Sequence, residues 1–459
     1  MEKLKAVIID GNDVSGEETK KAMDRVSKNL GLGIDTKRYS KLDDLERANL
    51  YIIEGVSERY EGKGVEKAEA IARKISKENP KSKRILIRKR QEYNPEMQEQ
   101  RGLWNGIVLR NGEIDTKKLE QEVCRLREEG SFVAPIDMGI HGYGRFGREG
   151  LKSTLSSPVR DIKLYSRHYI DHNPEGYRKI KDAHSTDRIK AQFTLDNLLE
   201  SIDVLFIATG LPFDPKRTRR EEFNGTARLI YPVLEKARDR DYQGLIIIGS
   251  NPTEDLLKLA QEMGIDPRQL VGESVTDSVR LRKLLAERFI HDPEITEKDI
   301  NVRVLGSHQQ SVPILSSATV HGRPITDYLN FPMKKYSDFN DFRKGLTRIL
   351  RRIRKKVMTG SKESGDFYSD APRGFKEMIK DITCLKQVPR SCWSVYDSNN
   401  GYYFTNSVAR IEYPSLRVTP LKTYELDDLE RKELEKQRDK NSRKQRKLVG
   451  DFLLEHGRK

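Results

Sequence analysis

The chain has 459 residues, of which 36% are hydrophobic and 34% charged, and its formal net charge is +15. Its apolar residues are gathered in runs such as VLFI and LIII, which excludes wholesale disorder, and no run has the roughly 18 apolar residues of a membrane span. Because the chain starts without the apolar core of a signal peptide, and its three cysteines have neither a disulfide framework nor metal-ligand spacing, we expect a cytoplasmic protein without a metal site. The positive charge indicates an anionic partner, either nucleic acid or a small anion.

The first domain is expected over residues 1–130, where short apolar strands alternate with amphipathic helical segments. This alternation predicts a small parallel α/β domain. Its strands KAVIID and YIIE end on Asp10 and Glu54, which resembles the acidic strand ends of response-regulator receiver domains and implies a flavodoxin-like fold. Since Glu54 stands where a receiver carries its phospho-accepting aspartate, we do not expect phosphorylation there.

The second domain opens with APIDMGIHGYGRFGREGL, which predicts a strand, a glycine turn and a helix. Gly142, Gly144 and Gly147 form the G-x-G-x-x-G pattern, whose small residues let the backbone and a helix N-terminus approach a pyrophosphate. The alternative is a turn that only packs the helix on the strand. The following runs, DIKLYS, DVLFIATG and LIIIGSN, are almost continuously apolar, as in a buried parallel sheet. The sequence therefore predicts a Rossmann domain over 131–272, an α+β substrate domain over 273–445 and a basic tail over 446–459.

The choice of dinucleotide is predicted from the end of the second Rossmann strand. A chain that binds NAD usually places Asp or Glu there to hold the ribose hydroxyls. This chain has Ser166 and Arg167 instead, which favours NADP(H) over NAD(H) because both can bind a 2′-phosphate. The alternative is that Arg167 is simply an exposed residue beyond the strand.

The order of motifs from about residue 135 to 440 resembles the lactate/malate dehydrogenase family. The segments that carry the resemblance after the glycine turn are DVLFIATGLPFDPKRTRREEF, IIIGSNPTEDLL, VGESVTDSVRLRKLLAE and VRVLGSHQQSVPILSSATV. The resemblance implies reversible hydride transfer between a nicotinamide cofactor and a small anionic 2-hydroxy or 2-keto acid. It also implies a homo-oligomer, either a dimer or a tetramer.

Carried over residue by residue, the resemblance implies that His308 transfers a proton and that Asp277 is its carboxylate partner. It implies that Arg280 binds the substrate carboxylate, and the spacing of 277 and 280 places both on one face of a helix. Arg219, in the family's mobile substrate loop, is implied to polarise the carbonyl. The remaining residues that the resemblance assigns to the cofactor and substrate pocket are Thr209, Gly210 and Asn251.

Two departures from the family pattern bear on the chemistry. Ser307, Gln309 and Gln310 surround His308, where the family usually has Glu before the histidine and Gly-Asp after it. Phe213 stands six residues before Arg219, where malate-specific members carry an arginine for the distal carboxylate. A phenyl ring cannot form that bidentate pair, so a monocarboxylic or bulkier apolar acid is favoured unless Lys216 or Arg217 substitutes.

Two other functions are compatible with the sequence. A dinucleotide-binding sensor could signal through the N-terminal domain, given the altered GSHQQS turn. Nucleic acid could bind the basic segments 343–356 and 438–447, although apolar residues at helical spacing in the first indicate a helix with one buried and one solvated cationic face. The chain shows no nucleic-acid-binding motif, and the positions of Arg167, Arg219 and Arg280 favour a small anionic substrate and cofactor.

Overall fold

The computed structural model describes residues 4–9, 13–30, 34–39, 50–54, 71–72, 75, 83–89, 106–110, 116–128, 136–157, 159–166, 187–192, 194–212, 214, 216–290, 292–307, 311–329, 336–358, 370–384, 389, 392–397, 403–412, 415–421 and 426–456. The chain forms two compact units. The first contains Met1–Pro135, Ile382–Gln387 and Glu412–Pro414, and the second contains Ile136–Asp381, Val388–Ile411 and Ser415–Lys459. None of the helices within the described ranges combines the length and apolar character needed to cross a membrane.

The first unit is built on a five-stranded, all-parallel sheet in the order β2-β1-β3-β4-β5. This is the strand order of flavodoxin-like sheets. The relationship to receiver domains stays a prediction, and Asp10 lies outside the described residues. The strand β2 was not predicted, because its sequence IDTKRY has no apolar run. The elements are β1 (Leu4–Ile9), α1 (Asp13–Leu30), β2 (Ile34–Tyr39), β3 (Leu50–Glu54), β4 (Lys83–Lys89), β5 (Gly106–Arg110) and α2 (Thr116–Glu128).

The second unit contains an eight-stranded sheet in the order β16-β15-β11-β10-β9-β6-β7-β8. Six of these strands are parallel and follow the Rossmann order, which confirms the predicted fold. β15 and β16 extend the sheet antiparallel beyond β11. The strands are β6 (Ile136–His141), β7 (Val159–Tyr165), β8 (Ile189–Ala191), β9 (Val204–Ile207), β10 (Leu245–Ile248), β11 (Leu270–Gly272), β15 (Trp393–Asp397) and β16 (Tyr403–Ser407).

Helices follow β6, β8, β9, β10 and β11, and all four residues of β9 and of β10 are inaccessible to water. A capping box between Thr218 and Glu221 starts the longest of these helices. The helices are α3 (Arg145–Leu155), α4 (Leu195–Leu199), α5 (Arg219–Asp239), α6 (Thr253–Glu262) and α7 (Val275–Arg288), with a 3-10 turn at Pro267–Gln269.

The second unit also contains a smaller antiparallel sheet of β12, β13 and β14, and three further helices lie mainly in this unit. The apolar face of α7, including Leu281 and Leu285, packs with α8 on this sheet in one core. A separate pair of strands consists of β17 and β18. The elements are β12 (Ile300–Leu305), β13 (Val312–Val320), β14 (Arg323–Pro324), a 3-10 turn (Ile325–Tyr328), α8 (Phe339–Met358), α9 (Asp370–Thr383), β17 (Ala409–Glu412), β18 (Arg417–Pro420) and α10 (Asp428–His456).

The prediction of a separate basic tail over 446–459 is wrong. The helix α10 continues from Asp428 to His456, and Val449 and Phe452 are buried in the core beneath α5 and α6. The Phe452 ring meets Phe223 edge to face, with centroids 5.6 Å apart. These apolar side chains recur at helical spacing within the charged sequence, and their burial keeps the last turns of the helix folded.

Part of the positive charge in the basic segment 343–356 is internal. Arg343 is buried, and its Nη1 lies 2.6 Å from Asp427 and 3.6 Å from Glu430. The Glu430 carboxylate also accepts hydrogen bonds from the amides of Leu315 and Ser316. The first arginine of this segment therefore ties α8 to the start of α10.

Candidate active site

Two of the three turn glycines are required by the packing of the turn itself. Gly142 follows β6 with φ +101°, and a Cβ there would lie 2.2 Å from Oγ1 of Thr209. A Cβ on Gly147 would lie 2.1 Å from the carbonyl oxygen of Gly142, because α3 approaches the turn closely at that point. Both positions therefore exclude larger residues for structural reasons.

Gly144 has a different environment, since among the described residues no atom beyond its chain neighbours lies within 4 Å of the position its Cβ would take. It is also the N-cap of α3, where a glycine offers no side chain to accept hydrogen bonds from the first amides of the helix. The first amide groups of α3 and the positive end of its dipole thus begin beside open space. This arrangement fits the pyrophosphate of a dinucleotide, which needs close backbone approach and hydrogen-bond donors at a helix N-terminus.

The end of β7 and the turns after β6, β9 and β10 meet at the carboxyl edge of the sheet. The amide of Gly142 donates to the carbonyl of Tyr165, and the Ser250 hydroxyl donates to the carbonyl of Thr209 at 2.6 Å. Ser166 is buried directly after β7. The predicted cofactor residues that this edge brings together are Gly142, Gly144, Gly147, Ser166, Thr209, Gly210 and Asn251.

His141, the last residue of β6, contacts both the end of β7 and the turn after β9 at this edge. It is buried, its ring stacks on Tyr165 at 5.5 Å, and its Nδ1 lies 2.9 Å from Oγ1 of Thr209. Burial lowers the pKa of His141 from 6.5 to about 4, so the imidazole is neutral in the folded protein.

Asp277 and Arg280 lie together near the start of α7, as their spacing predicts. Oδ1 of Asp277 is 3.7 Å from Nη1 of Arg280, and both side chains are almost fully buried, at 5% and 8% exposure. The helix begins three residues after β11, so the pair lies near the carboxyl edge of the parallel strands. A guanidinium can bind a carboxylate through two parallel hydrogen bonds, and in this structure Arg280 lies beside a carboxylate of its own helix.

The structure adds a second carboxylate to this pair. Oδ2 of Asp370, the first residue of α9, accepts a hydrogen bond from Nε of Arg280 at 3.4 Å. We call Asp277, Arg280 and Asp370 the Arg280 cluster. The only local signal for Asp370 is an acidic residue ahead of Ala-Pro at a helix start, and nothing in the sequence relates it to an arginine 90 residues away.

Arg219 is the first residue of α5, whereas the resemblance places it in a mobile loop. Its Nε is 2.7 Å from Oδ2 of Asp255, and its Nη2 is 3.9 Å from Glu254. Burial raises the pKa of Asp255, while the Arg219 guanidinium acts in the opposite direction. The capping box and the two carboxylates hold Arg219 in the helix, and the sequence contained no signal for that pairing.

Three predicted site residues lie outside the described residues: Phe213, His308 and Arg167. His308 belongs to the sequence between β12, which ends at Leu305, and β13, which begins at Val312. The neighbouring Ser307 is buried, and its hydroxyl makes no hydrogen bond to any of the described residues. Within the described ranges, no group of three or more His, Cys, Asp or Glu side chains could hold a metal ion.

The strand order and the glycine turn before α3 define a protein with a Rossmann-class fold. Within that class, the chain has the fold of the lactate and malate dehydrogenases. A lactate dehydrogenase from a Medee basin deep-sea metagenome aligns with 69% of this chain and 99% of its own, with a TM-score of 0.58 and 17% identity. The malate dehydrogenase of Plasmodium falciparum in complex with NADH aligns with 68% of this chain and 99% of its own, with a TM-score of 0.54 and 17% identity.

Sequence comparison also finds relatives that are named lactate or malate dehydrogenases. The L-lactate dehydrogenase of Mycoplasma capricolum is 32% identical over 164 residues, which are 35% of this chain and 50% of that enzyme. The malate dehydrogenase of Citrifermentans bemidjiense is 25% identical over 270 residues, which are 57% of this chain and 82% of that enzyme. The chain thus spans about half the length of the first of these relatives. No protein-family model matches the chain.

Proposed function

We propose that the protein is an oxidoreductase that transfers hydride between a nicotinamide dinucleotide and a 2-hydroxy or 2-keto acid. The observation that carries this proposal is the buried pair of Asp277 and Arg280 on the helix that follows the last parallel strand of a Rossmann sheet. The similarity to L-lactate and malate dehydrogenases supports it.

The dinucleotide would lie along the carboxyl edge of the sheet. Gly144 leaves room for the pyrophosphate, and the first amides of α3 would donate hydrogen bonds to it. Thr209, Gly210 and Asn251 follow β9 and β10 on the other side of the switch point between β6 and β9, where ligands bind in open α/β sheets. When bound, the nicotinamide ring supplies or accepts the hydride.

The reacting acid would be held by side chains of this chain. Arg280 would bind the carboxylate, and Arg219 would polarise the carbonyl. His308 would donate a proton to the carbonyl oxygen, and Asp277 would stabilise the imidazolium in that role. Phe213 would present an apolar wall, so we propose a monocarboxylic acid rather than malate as the substrate.

For the cofactor we propose NADPH, because Ser166 and Arg167 follow β7 in place of the carboxylate that holds the ribose of NAD. NADH, with which the Plasmodium falciparum malate dehydrogenase was solved, is the competing assignment. The resemblance also implies a homodimer or homotetramer, which light scattering on the purified protein would measure.

The deciding experiment is a panel of 2-keto acids with NADH and with NADPH, followed by nicotinamide absorbance. Pyruvate and longer monocarboxylic acids should be turned over faster than oxaloacetate, and turnover should be faster with NADPH than with NADH. A His308→Ala variant should lose turnover and still bind the dinucleotide. Retained turnover in that variant would contradict the proposed proton transfer.

A dinucleotide sensor that signals through the N-terminal unit is the second candidate. The observation that favours it is the Arg280 cluster, in which the expected substrate arginine already contacts two carboxylates. Dinucleotide binding without turnover of any acid in the panel would support the sensor and exclude the dehydrogenase.

A further inference from the structure

Arg280 contacts two carboxylates of its own chain in a place sheltered from water. Asp277 lies on the same helix, and Asp370 approaches from α9 with a side chain that has no exposed surface. The two acids carry two negative charges against one positive charge. A substrate carboxylate would bring a third negative charge to the same guanidinium, and like charges at this range in a desolvated site strongly oppose binding.

The packing of α9 fixes Asp370 in this position. Gly374, one helical turn later, lies so close to the start of α7 that a Cβ would be 2.7 Å from Oε1 of Glu273 and 2.9 Å from the amide of Thr276. The next residue, Phe375, is buried and stacks on Phe206 of β9 with ring centroids 4.0 Å apart. Asp370 is therefore held against Arg280 by a helix packed on both the sheet and α7.

We propose that Asp370 occupies the position on Arg280 that a substrate carboxylate would take, and that it is a specificity-determining residue that weakens the binding of carboxylate substrates. This inference rests on the proposed function, because that function makes Arg280 the carboxylate-binding group. Asp370 acts through Arg280 and is itself a positioning residue, not a catalytic one.

The matched control is the next ion pair between the same two helices. Nη2 of Arg282 lies 2.6 Å from Oε2 of Glu377, which is about two turns beyond Asp370 on α9. A Glu377→Gln variant removes a charge between α7 and α9 without changing the charge beside Arg280. This variant therefore distinguishes the effect of a weakened contact between α7 and α9 from the effect of an Arg280 guanidinium that no longer faces the Asp370 carboxylate.

The test measures pyruvate binding to the full-length wild type, Asp370→Asn, Asp370→Ser and Glu377→Gln by ligand-observed NMR in the presence of NADP⁺ or NAD⁺, which cannot reduce pyruvate. Asparagine keeps the shape of the side chain and removes its charge, and the serine variant gives a second measurement should the first not fold. The dissociation constant should fall at least about tenfold in the Asp370 variants and stay within about twofold of wild type in Glu377→Gln. With the reduced cofactor, KM should fall while kcat changes much less.

The outcomes separate the two proposals. Tighter pyruvate binding by the Asp370 variants without turnover upholds the role of Asp370 and overturns the dehydrogenase function. If the wild type turns over pyruvate and the Asp370 variants have the same pyruvate affinity and KM as the wild type, the dehydrogenase function is upheld and the role of Asp370 is overturned. The role of Asp370 is also overturned if Glu377→Gln increases the affinity for pyruvate as much as the Asp370 variants do, or if no variant binds pyruvate.

Discussion

Nε of Arg280 lies 3.4 Å from Oδ2 of Asp370, and the two side chains are 8% and 0% exposed. Burial of this kind removes water from both charges, so each group depends on the other for its stability in the folded state. Asp277 contributes a second negative charge to the same guanidinium. The Arg280 cluster is consequently a structural element of the core as well as the proposed carboxylate-binding group.

An Arg280→Met variant should lose about 3 to 5 kcal/mol of its free energy of unfolding, because two buried carboxylates would remain without their cation. Addition of Asp370→Asn to that variant should restore part of the loss, since one of the two charges disappears. The control is Arg282→Met, whose partner Glu377 is 33% exposed and can turn towards water. Urea unfolding measures all three, and equal losses in the two arginine variants would contradict the internal role of the cluster.

The glycine turn allows structure and cofactor binding to be tested separately. Gly147→Ala should lower the free energy of unfolding by about 1 to 3 kcal/mol, because its Cβ meets the Gly142 carbonyl oxygen at 2.1 Å. Gly144→Val should fold, since its Cβ meets no atom of the described residues within 4 Å, yet it should weaken dinucleotide binding at least about tenfold. Urea unfolding and quenching of nicotinamide fluorescence measure the two effects. Unchanged affinity in Gly144→Val would place the pyrophosphate elsewhere.

His141 should make the second unit sensitive to acid. Its pKa is about 4 when folded and 6.5 in the unfolded chain, so the unfolded state binds more protons between these values. Its contribution to stability is complete above pH 6.5 and is lost progressively as the pH falls towards 4. Between pH 7.5 and pH 5 the loss should be about 2 kcal/mol.

The measurement is urea unfolding at both pH values for wild type and for His141→Asn, which keeps a polar group near the position of Nδ1. The difference between the two proteins isolates His141 from the other titrating groups. An identical dependence on pH in both would mean that the imidazole is not buried as a neutral group.

Local features of the sequence were sufficient to predict the glycine turn and the main strands of the Rossmann sheet. The apolar runs of β9 and β10 identify buried parallel strands, and the three-residue spacing of Asp277 and Arg280 places both on one face of α7. The polar strand β2 was missed because pairing with β1, and not an apolar run, defines it.

The carboxylates that pair with the two predicted substrate arginines are distant from them in sequence. Asp370 reaches Arg280 across 90 residues, and Asp255 reaches Arg219 across 36. Such pairs depend on how helices pack on the folded sheet, and neither spacing nor composition specifies that packing. The end of α10 was assigned to a separate basic tail for a related reason: the high local charge obscured Val449 and Phe452, which tertiary packing buries.

The last turns of α10 provide a direct stability test. Phe452 is 1% exposed and Leu454, two residues later on the same helix, is 65% exposed. Phe452→Ala should cost about 3 to 5 kcal/mol of the free energy of unfolding, because it leaves a cavity beside Phe223. Leu454→Ala should stay within about 0.5 kcal/mol of wild type. Equal stability of both variants in urea unfolding would mean that the helix end does not belong to the core.

The proposed preference for NADPH over NADH should change when one residue, Ser166, is substituted. Ser166 follows β7 at the place where a carboxylate binds the ribose hydroxyls in NAD-dependent Rossmann proteins. Asp at this position would accept those hydrogen bonds and repel a 2′-phosphate, so Ser166→Asp should lower the ratio of kcat/KM for NADPH to that for NADH at least about tenfold. Ser166→Ala controls for loss of the hydroxyl and should change the ratio much less. If the ratio is the same in wild type and Ser166→Asp, the 2′ position of the ribose does not lie beside Ser166, and the proposed preference for NADPH loses its basis.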